Sequence, residues 1–363
     1  MSEAPRHVTE LAERRVKARA VRDYAAADAL RQEIEQAGWQ VRDSADGYEL
    51  TVKPPFDQWP SVRSIPVSAM TEPEGKKGGG LDKINPAAEL GFSGDPGQTG
   101  DPGDDMLHAQ RTWDAGLATN RLDIAGVDLE RQRVEISGVT ASVGVIVDGW
   151  ADDMRRCLES VLEHTSAPIL ALDLGNVHGA GEALHELAER HPERITAWHV
   201  AEQPHWQGGT AGWGAARTKL MQLDTADVHV LMETSTVLEG DALTPLVKAV
   251  KDGAVAAGWK GVDPGENDTE WNESGPGRVR ALLGYLMAVR RGAALRAFPE
   301  KVRYYRNADL VLSLALEGPL VVPDERLPVR QERHHGYHDV SPEYRDREAR
   351  RNYEAVLRML RSS

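Results

Sequence analysis

The chain has 363 residues, enough for two or three domains and a large buried core. Its net charge of −14 argues against a protein that coats nucleic acid or an anionic membrane surface. A single cysteine, Cys157, excludes an internal disulfide and a cysteine-based metal site, and no apolar run approaches the ~20 residues of a membrane span.

Four parts are predicted, at 1–52, 53–133, 134–338 and 339–363. In the first, helix formers fill 8–20. Asp23 then has the place of an N-cap for a helix over 24–37, with Gly38 as its C′ residue. Ala27, Leu30, Ile34 and Ala37 recur at steps of three and four residues and make one apolar stripe. Trp39-Gln40-Val41, a polar turn over 43–47 and Tyr48-Glu49-Leu50 follow as a short hairpin. Arg14, Arg15, Lys17, Arg19 and Arg22 either form a basic face or interleave with Glu10, Glu13 and Asp23 as solvated pairs.

From 10 to 50 the segment resembles the C-terminal end of cysteinyl-tRNA synthetases. Arg19, the run from Asp23 to Arg31, Gly38 and the turn from Asp43 to Gly47 carry the likeness. The synthetase's ATP-binding signatures and zinc-ligand cysteines are absent from the sequence. The resemblance therefore implies a small helical module, an RNA or partner contact, and not aminoacylation.

Pro54-Pro55 stops the hairpin, and 53–133 reads as a flexible linker. Between Glu72 and Asp105 it is rich in Gly, Pro and acids, with Gly78-Gly79-Gly80 and two copies of Gly-Asp-Pro-Gly. Such a composition buries too little apolar area to offset chain entropy. The end of this stretch, 111–133, has the pattern of a helix or strand that docks on the next domain.

Strand and helix patterns alternate from 134 to 338, as in an α/β domain. Strands are predicted at 143–147, 169–173, 195–200, 228–232, 254–258 and 282–289. Helices are predicted at 151–163, 179–190, 211–223, 242–251 and 307–317. Cys157 falls on the apolar face of the first of these helices, as a small core residue. In 339–363, Tyr353, Val356, Leu357 and Leu360 place an apolar seam on a C-terminal helix.

Val143-Gly144-Val145-Ile146-Val147, the strand ending in Asp173, Gly212-Trp213-Gly214-Ala215-Ala216-Arg217, Glu233-Thr234-Ser235 and Arg306-Asn307-Ala308-Asp309-Leu310 stand in an order and spacing that resemble family 2 glycosyltransferases. The resemblance implies a GT-A type fold, a Rossmann-type mixed sheet flanked by helices. It implies a protein that binds a nucleoside-diphosphate sugar and moves the sugar to an acceptor; the sequence shows neither the apolar core of a signal peptide nor a membrane span, so a cytoplasmic location is expected. A protein that binds the nucleotide sugar or a partner without transfer is the alternative, and an RNA-linked factor acting through the N-terminal module is a second.

Asp173 ends a strand at the carboxyl edge of a parallel sheet, the usual ligand crevice, and the resemblance places it against the nucleoside. The other reading is a cap for the segment from Gly175. Asp148-Gly149-Trp150 borders the same crevice in place of the family's Pro-x-Tyr. Arg217 belongs to a small-residue helix start whose amides suit phosphate or whose glycines allow close packing.

Glu233-Thr234-Ser235 stands where the family holds a divalent cation between two Asp, so a Mn²⁺ or Mg²⁺ site on Glu233 is expected to be weak, and function without metal is consistent with it. Asp241 is the next carboxylate, either a further ligand or a helix cap. Arg306-Asn307 replaces the family's acid pair, and neither side chain is a general base at neutral pH. Asp309 then takes the catalytic place or caps the following helix. The resemblance assigns His334 to metal or phosphate, with His335 as second choice. Arg290 either pairs with phosphate or runs from a sheet edge into solvent.

Overall fold

The computed structural model describes residues 4–44, 47–67, 139–265, 270–332 and 340–362. The chain divides into two compact units, at Met1–Asp57 and Gln58–Ser363.

The first unit is α1 (Arg6–Ala20), α2 (Tyr24–Gln36), β1 (Trp39–Ser44) and β2 (Gly47–Val52). Asp23 caps α2, its carboxylate accepting from the Ala26 amide at 3.0 Å. The strands pair antiparallel, Trp39 opposite Val52. Val8, Ala12, Ile34, Trp39 and Val41 make the core. Ala27, Leu30 and Ile34 of the expected stripe are buried, but Ala37 is exposed because the helix has already ended at Gln36. Arg15 and Arg19 take their partner from the hairpin. Arg15 donates to both oxygens of Asp43, at 2.7 and 3.3 Å, and Arg19 donates to Asp43 as well. This pair of cations holds the Asp43 carboxyl below the usual range, the Arg15 hydrogen bond contributing most.

In the second unit, residues 58–67 pack on the α/β domain instead of starting a linker. Trp59 bridges to Val200, and Val62 and Ile65 are buried with Leu172, Leu174 and Leu220. Lys219 donates to the Ile65 carbonyl at 2.8 Å, and burial lowers its pKa. The rest of the expected linker, 68–133, lies outside the described residues.

The main sheet uses β3 (Ala141–Val147), β4 (Ile169–Leu174), β5 (Ile195–Val200), β6 (Val228–Met232), β8 (Ala256–Gly258), β11 (Gly277–Val279), β13 (Leu286–Arg290) and β14 (Leu320–Val322). Their order is β11-β14-β8-β13-β6-β3-β4-β5. β5, β4, β3 and β6 run parallel, β13 is antiparallel to both its neighbours, and β14 is parallel to β8. The architecture is a mixed α/β sheet between helices.

Valines 143, 145, 228 and 230 alternate with residues on the other face, so both faces are apolar, as buried parallel strands require. One face packs on α3 (Ala151–His164), α4 (Ala180–Arg190) and α6 (Leu243–Lys251). The opposite face packs on α5 (Trp213–Leu223) and α7 (Arg291–Ala297). α8 (Ala308–Ala315) and the long α9 (Pro342–Ser362) share a further cluster through Val311 and Val356.

The strand expected at 282–289 divides. β12 (Ala281–Leu282) pairs with β9 (Gly261–Pro264), which also pairs with β10 (Trp271–Ser274). Only Leu286–Arg290 enters the main sheet. A second small ladder joins β7 (Thr236–Leu238) to β15 (Val329–Gln331). Among the described residues no helix is long and apolar enough to cross a membrane.

Candidate functional site

The sequence order of the parallel strands reverses between β3 and β6: β4 and β5 lie on one side of β3, and β6 on the other. Ligands of open α/β sheets bind outside the carboxyl ends at such a switch point. Here the two flanking loops are Asp148-Gly149-Trp150 after β3 and Glu233-Thr234-Ser235 after β6. Gly149 sits at φ +134°, a conformation open to glycine, and lets the chain turn at once into α3.

Arg217 braces the two strands from below. It is almost fully buried and donates to the Gly144 carbonyl of β3 at 2.6 Å and the Met232 carbonyl of β6 at 2.9 Å. Burial lowers its pKa to about 10, and the nearby Glu233 and Asp148 carboxylates act against that shift. Arg217 thus supplies fixed positive charge beneath two half-buried acids, but its two terminal nitrogens donate to the backbone.

Above the brace is an aromatic wall. The Trp206 indole donates to Asp148 Oδ2 at 3.1 Å and stacks on Trp150 with centroids 6.0 Å apart. Tyr304 and Tyr305 are buried with hydroxyls 2.8 Å apart. Burial raises the Tyr305 phenol, the Tyr304 contact adds to this, and Glu233 and Asp148 push in the same direction. Trp206 was not legible as a site residue; its signal is a place in the loop after β5, at the same sheet edge.

Other expected residues are placed elsewhere or are committed to the fold. Asp173 is fully buried, accepts from the Asn176 amide at 3.1 Å and contacts His199 Nδ1 at 3.0 Å. These contacts tie it to the turn after β4 and to β5. At the start of α5 the Trp213 and Gly214 amides donate to the carbonyls of Arg303 and Val302, at 3.1 and 2.8 Å. A Cβ on Gly214 would lie 2.2 Å from the Pro299 carbonyl oxygen, so these glycines serve close packing.

Arg290 is opposite Val228, at the amino end of β6, while Glu233 follows the other end. Four residues of strand, about 13 Å, separate the two edges. Arg290 therefore does not share the crevice, and it donates instead to the Val250 carbonyl at 3.3 Å. Asp241 caps α6, accepting from the Leu243 and Thr244 amides at 3.1 and 3.0 Å. Asp309 accepts from the Gly284 amide at 3.0 Å and the Leu310 amide at 2.9 Å, one on each oxygen. That fixes the loop between β12 and β13. His334, His335 and His338 lie outside the described residues.

Cys157 is buried, with Sγ 3.5 Å from the Glu233 carbonyl oxygen, and burial pushes its thiol up to about 12. Among the described residues no group of three or more His, Cys, Asp or Glu could hold a metal ion. Mg²⁺ and Mn²⁺ favour several oxygen ligands with carboxylates among them. Glu233 is followed by Thr234 and Ser235, so its own motif supplies one carboxylate.

No family model matches the chain. A cysteine–tRNA ligase of Opitutus terrae is 53% identical over 49 residues, 14% of this chain and 11% of that protein. The chain thus spans a small fraction of that relative's length, and the match bears out a short cysteinyl-tRNA ligase-like segment. S. aureus TarS 1-349 is 12% identical over 52% of this chain and 59% of that one, with a TM-score of 0.38. The bifunctional IspDF from Campylobacter jejuni is 7% identical over 53% and 51%, with a TM-score of 0.35. Likenesses this distant assign no fold family, and the α/β architecture rests on the strand order itself.

Proposed function

We propose that the second unit binds a nucleoside-diphosphate sugar in the crevice between the carboxyl ends of β3 and β6, as a glycosyltransferase-like protein of GT-A type. The observation that carries this reading is the position of Asp148 and Glu233 on either side of the topological switch point, braced by Arg217. The Trp150 and Trp206 rings give the crevice an apolar wall beside its polar floor, the usual composition of a small-molecule site.

In transfer, an acceptor oxygen attacks the anomeric carbon, the bond to the diphosphate breaks, and the leaving diphosphate takes the electron pair. Arg217 stabilises the buried acids at the floor. The acceptor proton needs a carboxylate, and with Asp309 committed to two amides the half-buried Glu233 and Asp148 are the groups that face the crevice. That same commitment of Asp309 favours a second reading, nucleotide-sugar binding without transfer. For the first unit we propose an auxiliary role as an RNA or partner contact, in keeping with its cysteinyl-tRNA ligase-like segment.

Isothermal titration of the full chain with UDP and GDP tests the nucleotide reading. Binding of one of them tighter than about 1 mM is expected, and binding of neither contradicts it. Product analysis with UDP- and GDP-sugars then separates transfer from binding alone.

A further inference from the structure

We propose that Arg303 and Arg306 are the phosphate-binding groups of the crevice, holding the ligand's diphosphate by direct guanidinium contacts in place of a metal ion. The inference rests on the nucleotide reading above and names residues that neither motif spacing nor resemblance assigns to phosphate.

The first argument is charge placement. The chain is strongly acidic, yet the stretch that leads into α8 turns two arginines to solvent beside the site. Neither Arg303 nor Arg306 has a carboxylate partner among the described residues. Nearby Arg345, Arg347 and Arg351 are different: Asp346 and Glu348 pair with them. An exposed guanidinium without a counter-ion beside a ligand crevice is a natural anion contact, since its fork matches phosphate oxygens.

The second argument is geometric. The stretch that carries the two arginines is held on both sides. The Arg303 carbonyl accepts from the Trp213 amide at the start of α5. The Arg306 carbonyl accepts from Asn352 of α9 at 2.8 Å, and the same amide group donates to the Tyr304 carbonyl at 2.8 Å. Asn307, in the left-handed region at φ 61°, returns a bond to the Ala349 carbonyl at 3.2 Å. Asn352 is itself buried, so the clamp is shielded from water. The backbone beneath both cations is therefore fixed in advance, which lowers the ordering cost of binding.

Proximity to the crevice is the third argument. The two side chains between them in sequence, Tyr304 and Tyr305, are buried with hydroxyls 2.8 Å apart. Tyr304 also packs edge-on against Tyr344 of α9, ring centroids 5.5 Å apart. His205, in the loop that carries Trp206, contacts the hydroxyl of the same Tyr344 at 2.5 Å, and burial lowers the His205 pKa with Arg303 adding to that shift. The two arginines thus stand by the aromatic wall, where the acids alone would repel a diphosphate. With Thr234 and Ser235 following Glu233, these cations offset that repulsion without a metal.

The test compares UDP with uridine in titrations of the full chain, wild type against Arg306→Gln and Arg303→Gln, at fixed low salt and after chelation of divalent ions. UDP affinity is expected to fall by about tenfold or more in each variant, the scale of one charge-assisted hydrogen bond, while uridine affinity stays within about twofold. Arg306→Lys should recover only part of the loss, because an ammonium cannot make the paired contact. Wild-type binding of UDP with both Gln variants unchanged overturns the inference and leaves the nucleotide reading standing, as does an equal loss for uridine. A wild type that binds neither UDP nor GDP overturns the nucleotide reading and this inference with it.

Discussion

The Asp173 carboxylate lies so close to the backbone of Gly181 in α4 that a Cβ there would come within 2.3 Å of Oδ2. Helix and strand end can approach this closely because position 181 has no side chain. With Asn176 and His199 on its oxygens, Asp173 ties the end of β4 to the start of α4 and to β5. Asp173→Ala is therefore expected to destabilise the folded protein by about 1–3 kcal/mol, the cost of leaving buried donors without an acceptor. Its midpoint of chemical unfolding should drop, while nucleotide affinity of the folded variant stays within a few-fold. A loss of affinity of tenfold or more in a variant of normal stability would return Asp173 to the nucleoside role that the resemblance implies.

The Arg15–Asp43 pair makes the first unit sensitive to acid in a definite direction. The folded-state pKa of Asp43 is depressed, so the pair's contribution is fully present above the ordinary aspartate value of 3.8. It is lost as pH falls through the lower, folded value. Amide exchange in α1 of the intact protein should keep its protection at pH 4.5 and lose part of it below about pH 3.8, more steeply than in Asp43→Asn. Equal acid sensitivity in both proteins would show that the pair does not contribute.

Cys157 should behave as a core residue and not as a nucleophile. Burial pushes its thiol far above the usual range, so little thiolate is present at pH 8. A thiol reagent should leave the native protein unmodified over hours and label it stoichiometrically in denaturant. Rapid labelling of the native state would mean that the Glu233 loop opens far more often than its packing suggests.

Metal removal should matter little. Glu233 has no second carboxylate in its own motif, so chelation is expected to change nucleotide affinity by less than about tenfold. Titration of UDP and GDP with excess chelator and with added Mn²⁺ checks this. Abolition of binding by chelation would contradict this.

Much of the frame was legible from the chain. The buried strands β3, β4, β5 and β6 announce themselves as short apolar runs bounded by polar turns, and the helices between them carry a 3.6-residue stripe. The short strands β9 to β12 did not, because two to four residues carry no usable period. The run 282–289 reads as one strand, yet Gly284 and the Asp309 contact bend it into two. Residue chemistry was legible at the site, but direction was not. Arg290 and Glu233 are both polar ends of apolar runs, and only the antiparallel pairing of β13 puts them at opposite edges. Asp173 and Asp309 look the same in sequence whether they face a ligand or a backbone amide. Trp206 and Arg303 lie in segments without periodicity, and the fold alone brings Trp206 to Asp148 and Arg303 to the start of α5.

The most direct measurement of the central claim is hydrogen exchange of the full chain with and without saturating UDP, read by peptide. The account predicts added protection over 148–153 and 233–236, the two sides of the switch point, with the loop around Trp206 following. Protection confined to the opposite edge, over 139–142 and 224–226, or no change anywhere, would contradict it.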